Sequence, residues 1–227
     1  MDPNLDLKTA ISITLGQHAR SSQRQRALAD YCIAELEKRG LKGLPLLGGS
    51  RGEARVQGLA RAKNWDVALL WPDSGEVAKP RLLVSLKSIM RNPRGTVPNR
   101  LDDLVGEVSS VQMLFPEVVI GYVAVLDYGA PTKRKKGLVR PEDMQLAPLY
   151  QGFKDGIEKL AVRRPPLWAQ GLIEAAWIIE IDTRREDLFL DYPRTLKEGA
   201  DFFDRLAELL RLREPLLFSP PPGAPPA

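Results

Sequence analysis

Apolar positions recur along this chain at two different spacings, and each switch between them marks an element boundary. The first forty residues follow a helical period: LKTAISITLGQHA reads as one helix, and QRQRALADYCIAELEKRG as a second that stops at Gly40, a residue suited to helix ends. A glycine-rich connection, GLPLLGGSRGE, comes next. NWDVALLW and PRLLVSLKSIM are strand-like, rich in Val, Leu and Ile and separated by the turn-forming PDSGEVAKP, so together they predict a β-hairpin. After a polar loop, RLDDLVGEVSSVQMLF returns to the helical period, with Leu101, Leu104, Val105, Val108 and Val111 on one stripe. VVIGYVAVLDYG is apolar without interruption, the pattern of a strand buried on both faces. Beyond the basic turn PTKRKKG come a helix around APLYQGFKDGIEKLAV, a strand AAWIIEIDT and an amphipathic helix LKEGADFFDRLAELLRL.

This order predicts an α/β fold, a mixed central β-sheet flanked by helices. At 227 residues the chain can bury one sizeable core. We expect a single domain over residues 1–218, with an N-terminal helical part to about residue 45, and a disordered Pro-rich tail at 219–227 (SPPPGAPPA). No apolar run approaches the roughly 20 residues of a membrane span, and the start MDPNLDLK is unlike a signal peptide, so the expected location is cytoplasmic.

Composition narrows the chemistry. The chain has one cysteine, Cys32, and one histidine, His18, which rules out an intrachain disulfide and leaves a zinc cluster or an imidazole-based nucleophile poorly supplied. Cys32 lies on a helical apolar pattern and reads as a buried structural thiol, His18 as a surface or capping residue. Any catalysis must therefore come from carboxylates, lysine and a hard metal ion that prefers oxygen ligands. The net charge of +4 favours a polyanionic partner only mildly. Most basic runs read as solvated loops, and Arg91 to Arg100 stands apart because of what flanks it.

The hairpin turn centres near Gly75 and Glu76, which sets Asp66 opposite Lys87, and strand alternation puts Ser85 and Lys87 on one face. An acid and a lysine among Val, Leu and Ile are expensive to bury without a partner or a purpose, although a plain cross-strand ion pair would also account for them. In the following helix Asp102 and Glu107 flank the apolar stripe while Asp103 points away. Asp102 also falls in the expected first turn, where the helix dipole favours an acid.

Asp66, then Ser85-Leu86-Lys87, then a basic loop and a helix opening with acids: this ordered set resembles the PD-(D/E)xK nuclease superfamily. It is similar in particular to type II restriction endonucleases with an SxK motif, in which serine replaces the usual acid and a carboxylate of the next helix substitutes for it. In VSLKSIMRNPRGTVPNRLDD, Lys87 matches the lysine, Arg91 and Arg94 the loop arginines, and Arg100 with Asp102 the arginine-acid step. The resemblance covers roughly residues 60 to 126. Two departures stand out: an aspartate where glutamate is commoner, which leaves Glu107 as a substitute, and a literal Pro-Asp pair at Pro72-Asp73, which falls in the hairpin turn far from Lys87. Glu53, from an earlier element, is a further candidate ligand, though it reads more readily as a surface residue.

The resemblance implies Mg2+-dependent, sequence-specific hydrolysis of phosphodiester bonds in double-stranded DNA. Asp66, Ser85, Lys87 and Asp102 would be the catalytic set, with Asp66, Asp102 or Glu107 as metal ligands and a backbone carbonyl near Leu86 as a further one. Lys87 would orient the attacking water, and Ser85 would at most support a water ligand. Arg91, Arg94, Asn99 and Arg100 would meet the duplex, and Lys133, Arg134, Lys135 and Lys136 its phosphates. Cutting both strands at a symmetric sequence calls for a homodimer or higher assembly. Two other readings remain open: a DNA-binding or assembly module on the same fold without cleavage, and a repair or recombination nuclease.

Overall fold

Two helices open the chain, α1 (Leu7–Gly16) and α2 (Arg26–Leu36). Asp6 caps the first, its carboxylate accepting from the Thr9 N–H at 2.7 Å. The second runs on into a wider turn over Glu37–Leu41 and ends where Gly40 takes a φ of 90°, as its glycine predicts. The structure is a computed structural model that describes residues 5–17, 24–71, 78–134, 137–139, 146–164 and 169–218, with the backbone alone for 132–134 and 137–139. His18, Pro72, Asp73, Lys135, Lys136 and the expected tail lie outside the described residues.

The elements that follow are β1 (Leu46–Gly48), β2 (Ala54–Gln57), β3 (Ala62–Trp65), β4 (Val67–Trp71), β5 (Lys79–Ile89), α3 (Pro93–Gln112), β6 (Val119–Asp127), β7 (Thr132–Arg134), β8 (Gly137–Val139), α4 (Leu146–Leu160), β9 (Ala175–Ile181) and α5 (Tyr192–Arg213). A five-stranded sheet carries the order β1-β4-β5-β6-β9, antiparallel from β1 to β5 and parallel from β5 to β9. β6 sits between two parallel partners and is buried at every position, which explains its unbroken apolar run. β9 alternates buried and half-buried residues. The fold is α/β, a mixed central sheet flanked by helices.

The sheet divides the core in two. Val67, Leu69, Leu82, Val84, Leu86, Val123 and Trp177 pack with residues of α1, α2 and α5, while Ala68, Leu83, Ile89, Ile120, Tyr122 and Ala124 pack with α3 and α4. Odd-numbered residues of β5 therefore face α3, and Ser85 and Lys87 are among them.

Three local expectations are corrected. NWDVALLW is two strands: β3 pairs with β2 in a separate two-stranded sheet, and the chain breaks at Asp66 before β4 joins the main sheet. The hairpin register is Val67↔Val84, with a bulge between Leu69 and Leu70, so position 66 comes opposite Ser85 and Lys87 lies two residues further on. A shift of two preserves the face, because side chains alternate with a period of two. Finally, α3 starts at Pro93, and Arg94, Asn99 and Arg100 are helical where a loop was expected. Asn92 turns the chain with a φ of 48°, and Pro93 sits where a missing N–H is harmless. Asp102 is thus well inside the helix, beyond the first-turn dipole, and Val97 joins the buried stripe while Val105 is exposed.

Candidate active site

Asp66 occupies the corner between the small sheet and the large one. Its Oδ2 accepts the backbone N–H of Leu86 at 2.7 Å, which ties the corner to β5 one residue before Lys87. Gly48 on β1 makes room for it: a Cβ there would lie 2.1 Å from the Asp66 carbonyl oxygen, and the φ of 125° already excludes most side chains. Burial raises the pKa of the Asp66 carboxyl, against the lowering influence of Lys87 foremost, then of the Leu86 N–H and Lys63.

Burial lowers the pKa of Lys87, and Asp66 is the main influence in the other direction. Its Nζ lies 3.9 Å from Oε2 of Glu107, one turn beyond Asp103 on α3, and both side chains are largely buried. Oε1 of the same carboxylate is in contact with the ammonium of Lys63, which comes from β3. Burial and then the Lys87 charge push the Lys63 pKa down to about 8. Asp66, Lys87, Glu107 and Lys63 thus form one group on the α3 side of the sheet, drawn from four elements or corners.

The remaining candidates separate. Ser85 is buried on the same face as Lys87 and pairs in register with Tyr122 of β6. Asp102 is exposed and lines a 350 Å³ cavity together with Lys63, Trp65, Asp103, Glu107 and Ser110. Asp103 does not point away as expected: it pairs with Arg100 at 3.3 Å, and its charge acts on Lys63, Lys87 and Tyr122. Among the helix acids Glu107 makes the direct contact with Lys87, because helix rotation is set by the Val97, Leu104, Val108 and Val111 face that packs down. Arg91, Arg94 and Asn99 are exposed, and Arg100 is half-buried with its charge acting on Lys87. Of Lys133 and Arg134 only the β7 backbone is described. Glu53 accepts from Asn64 at 2.9 Å and lines a second cavity of 420 Å³, which Asp66 also lines with Gln25, Arg26 and Trp65. Cys32 is fully buried, as its helical pattern predicts.

Two residues escaped the sequence reading. Lys63 lies in AKNW, a polar stretch with no periodic signal, and its role depends on β2–β3 folding back toward α3. Tyr122 is inside the apolar run of β6. Its hydroxyl is buried without a partner among the described residues, and burial raises its pKa, with Arg100, Asp103 and Asp66 as electrostatic neighbours. A phenol in a strand made mostly of Val, Ile, Ala and Leu was the available signal. Among the described residues no three His, Cys, Asp or Glu side chains gather closely enough to form a ready metal cage. A scan against protein-family models and a search of curated proteins found no match to the chain.

Proposed function

We propose that the chain is a magnesium-dependent endonuclease of the PD-(D/E)xK kind that hydrolyses phosphodiester bonds in double-stranded DNA, in the manner of type II restriction enzymes. The observation that carries this reading is the meeting of an acid from the β3–β4 corner, a half-buried lysine of β5 and an acid of α3 on one sheet face.

The donor set suits magnesium, which keeps several waters and takes only one or two protein carboxylates alongside substrate phosphates. Asp66 and Glu107 would hold the ion. Burial raises the Asp66 pKa even with two lysines nearby, so its ionised form is short of positive charge, and the buried Tyr122 hydroxyl has a hydrogen bond to give. When bound, magnesium supplies positive charge to the phosphoryl oxygens and makes the attacking water more acidic.

The rest falls to the chain's own side chains. In hydrolysis a water oxygen bonds to phosphorus, one P–O ester bond breaks, and the leaving oxygen takes up a proton. The Lys87 ammonium, largely desolvated, paired with Glu107 and within the field of Asp66, orients that water and faces the charge that develops on the phosphoryl group. The Asp66–Leu86 hydrogen bond fixes the carboxylate relative to Lys87. Arg91, Arg94 and Asn99, exposed at the start of α3, meet the duplex, and two-strand cutting calls for a homodimer.

A second reading, a purely structural ion-pair network on a DNA-binding module, draws on the closure of Glu107 by two lysines and the lack of a three-acid cluster among the described residues. A mixed-sequence plasmid incubated with the protein, with and without Mg2+, decides between them. Discrete fragments that need Mg2+ and fall about 10²–10³-fold in rate in Lys87→Ala are expected. DNA binding without Mg2+-dependent cutting would overturn the nuclease reading.

A further inference from the structure

The two oxygens of Glu107 face two different ammonium groups, Lys63 on Oε1 and Lys87 on Oε2. These lysines are held unequally. Lys87 projects from β5 inside the main sheet and its side chain is 18% exposed, whereas Lys63 stands on the two-stranded β2–β3 sheet, is 34% exposed, and borders the 350 Å³ cavity. A cation approaching Glu107 meets positive charge on both sides, and of the two lysines Lys63 is the more exposed and lines the cavity. The cavity is also lined by Arg61, Asp102 and Asp103, so a freed ammonium remains near the protein surface beside the middle of α3.

We propose that Lys63 is an internal counter-cation for Glu107 that a divalent ion must displace, and that the freed ammonium then engages a DNA phosphate. This rests on the reading of Glu107 as a metal ligand. It follows that metal and DNA bind cooperatively: the ion releases Lys63 for the phosphate, and the phosphate draws Lys63 off the carboxylate. Linkage makes the two effects equal. A protein without DNA then binds Mg2+ poorly, and the site assembles on its substrate.

The test is calorimetric titration of MgCl2 into full-length wild type, Lys63→Met, Lys63→Arg, Arg61→Met and Glu107→Gln, without DNA and with a saturating duplex. A magnesium-induced rise in Tm is followed in parallel, and Lys63→Gln replaces Lys63→Met should that variant fail to fold. Without DNA, Lys63→Met binds Mg2+ about tenfold more tightly than wild type, a coupling of ordinary size. Lys63→Arg stays at the wild-type value, Arg61→Met moves little because it removes an equal charge that does not touch Glu107, and Glu107→Gln loses binding. With duplex, the wild type gains affinity and Lys63→Met gains far less. Equal affinities of wild type and Lys63→Met, or equal gains in Lys63→Met and Arg61→Met, would overturn the proposal while leaving the metal reading intact. No Mg2+ binding by any of the proteins, with or without duplex, would sink both.

Discussion

Asp66 is a residue the fold carries at a disadvantage. Burial raises its pKa above the roughly 3.9 of an unfolded aspartate, so the native state prefers the neutral acid. The linkage has a definite sign: this group's stabilising contribution is complete below the unfolded pKa and is lost as pH rises through the folded one. At neutral pH its ionised form therefore works against folding. Asp66→Asn, which keeps an oxygen for the Leu86 N–H, should abolish cleavage yet unfold at higher urea than wild type at pH 7. The gain should shrink toward zero near pH 4. Urea titrations of both proteins from pH 4 to 8 give the answer, and a variant less stable at pH 7 would contradict this account. Retaining a destabilising acid is a usual compromise between stability and function.

At the scale of elements, two junctions position the site. The first is the close approach of β1 to the Asp66 corner. Gly48→Ala puts a methyl group against the Asp66 carbonyl and strains a φ of 125°, so it should cost about 1–3 kcal/mol and shift the corner. Its signature would be a loss of Mg2+ response larger than the loss of stability explains. The second junction is at the opposite end of the sheet, where Glu174, fully buried before β9, accepts the Ile120 N–H at 2.6 Å and pairs with Arg163 at 3.1 Å and Arg213 at 2.8 Å. Two guanidiniums and one carboxylate lock α5 and the turn after α4 onto the start of β6. Glu174→Gln takes away the charge both arginines face and should destabilise by about 3–5 kcal/mol, measured by chemical denaturation.

For the whole molecule the question is how a chain with a net charge of only +4 would hold a polyanion. Local placement matters more than the sum. Arg91, Arg94, Asn99 and Arg100 crowd the first two turns of α3 and the residues before it, at the end of the helix that leads to Glu107. If Arg94 contacts a phosphate, Arg94→Ala weakens binding by a similar factor on every duplex and reduces the slope of log K against log salt by about one. A sequence-dependent loss in Arg94→Ala would instead make it a base reader. Among the described residues no helix is long and apolar enough to cross a membrane.

The sequence by itself determined the fold class, because period and length sort its segments: the unbroken apolar run from Val119 to Leu126 makes a doubly covered strand, and the amphipathic 22-residue α5 must lay one face on the core. It also determined that Asp66, Ser85 and Lys87 share a face, since a strand's alternation survives any even error in register. Tertiary structure decided which groups meet. The bulge at Leu69 and Leu70 set the register, the packed face of α3 turned Glu107 rather than Asp102 toward Lys87, and the small β2–β3 sheet brought in Lys63. Each of these depends on contacts between segments distant in the chain, for which local pattern carries no signal. Pro98, inside α3 yet a helix breaker by propensity, shows the same limit: packing of Val97 and Leu104 outweighs what the residue alone would predict.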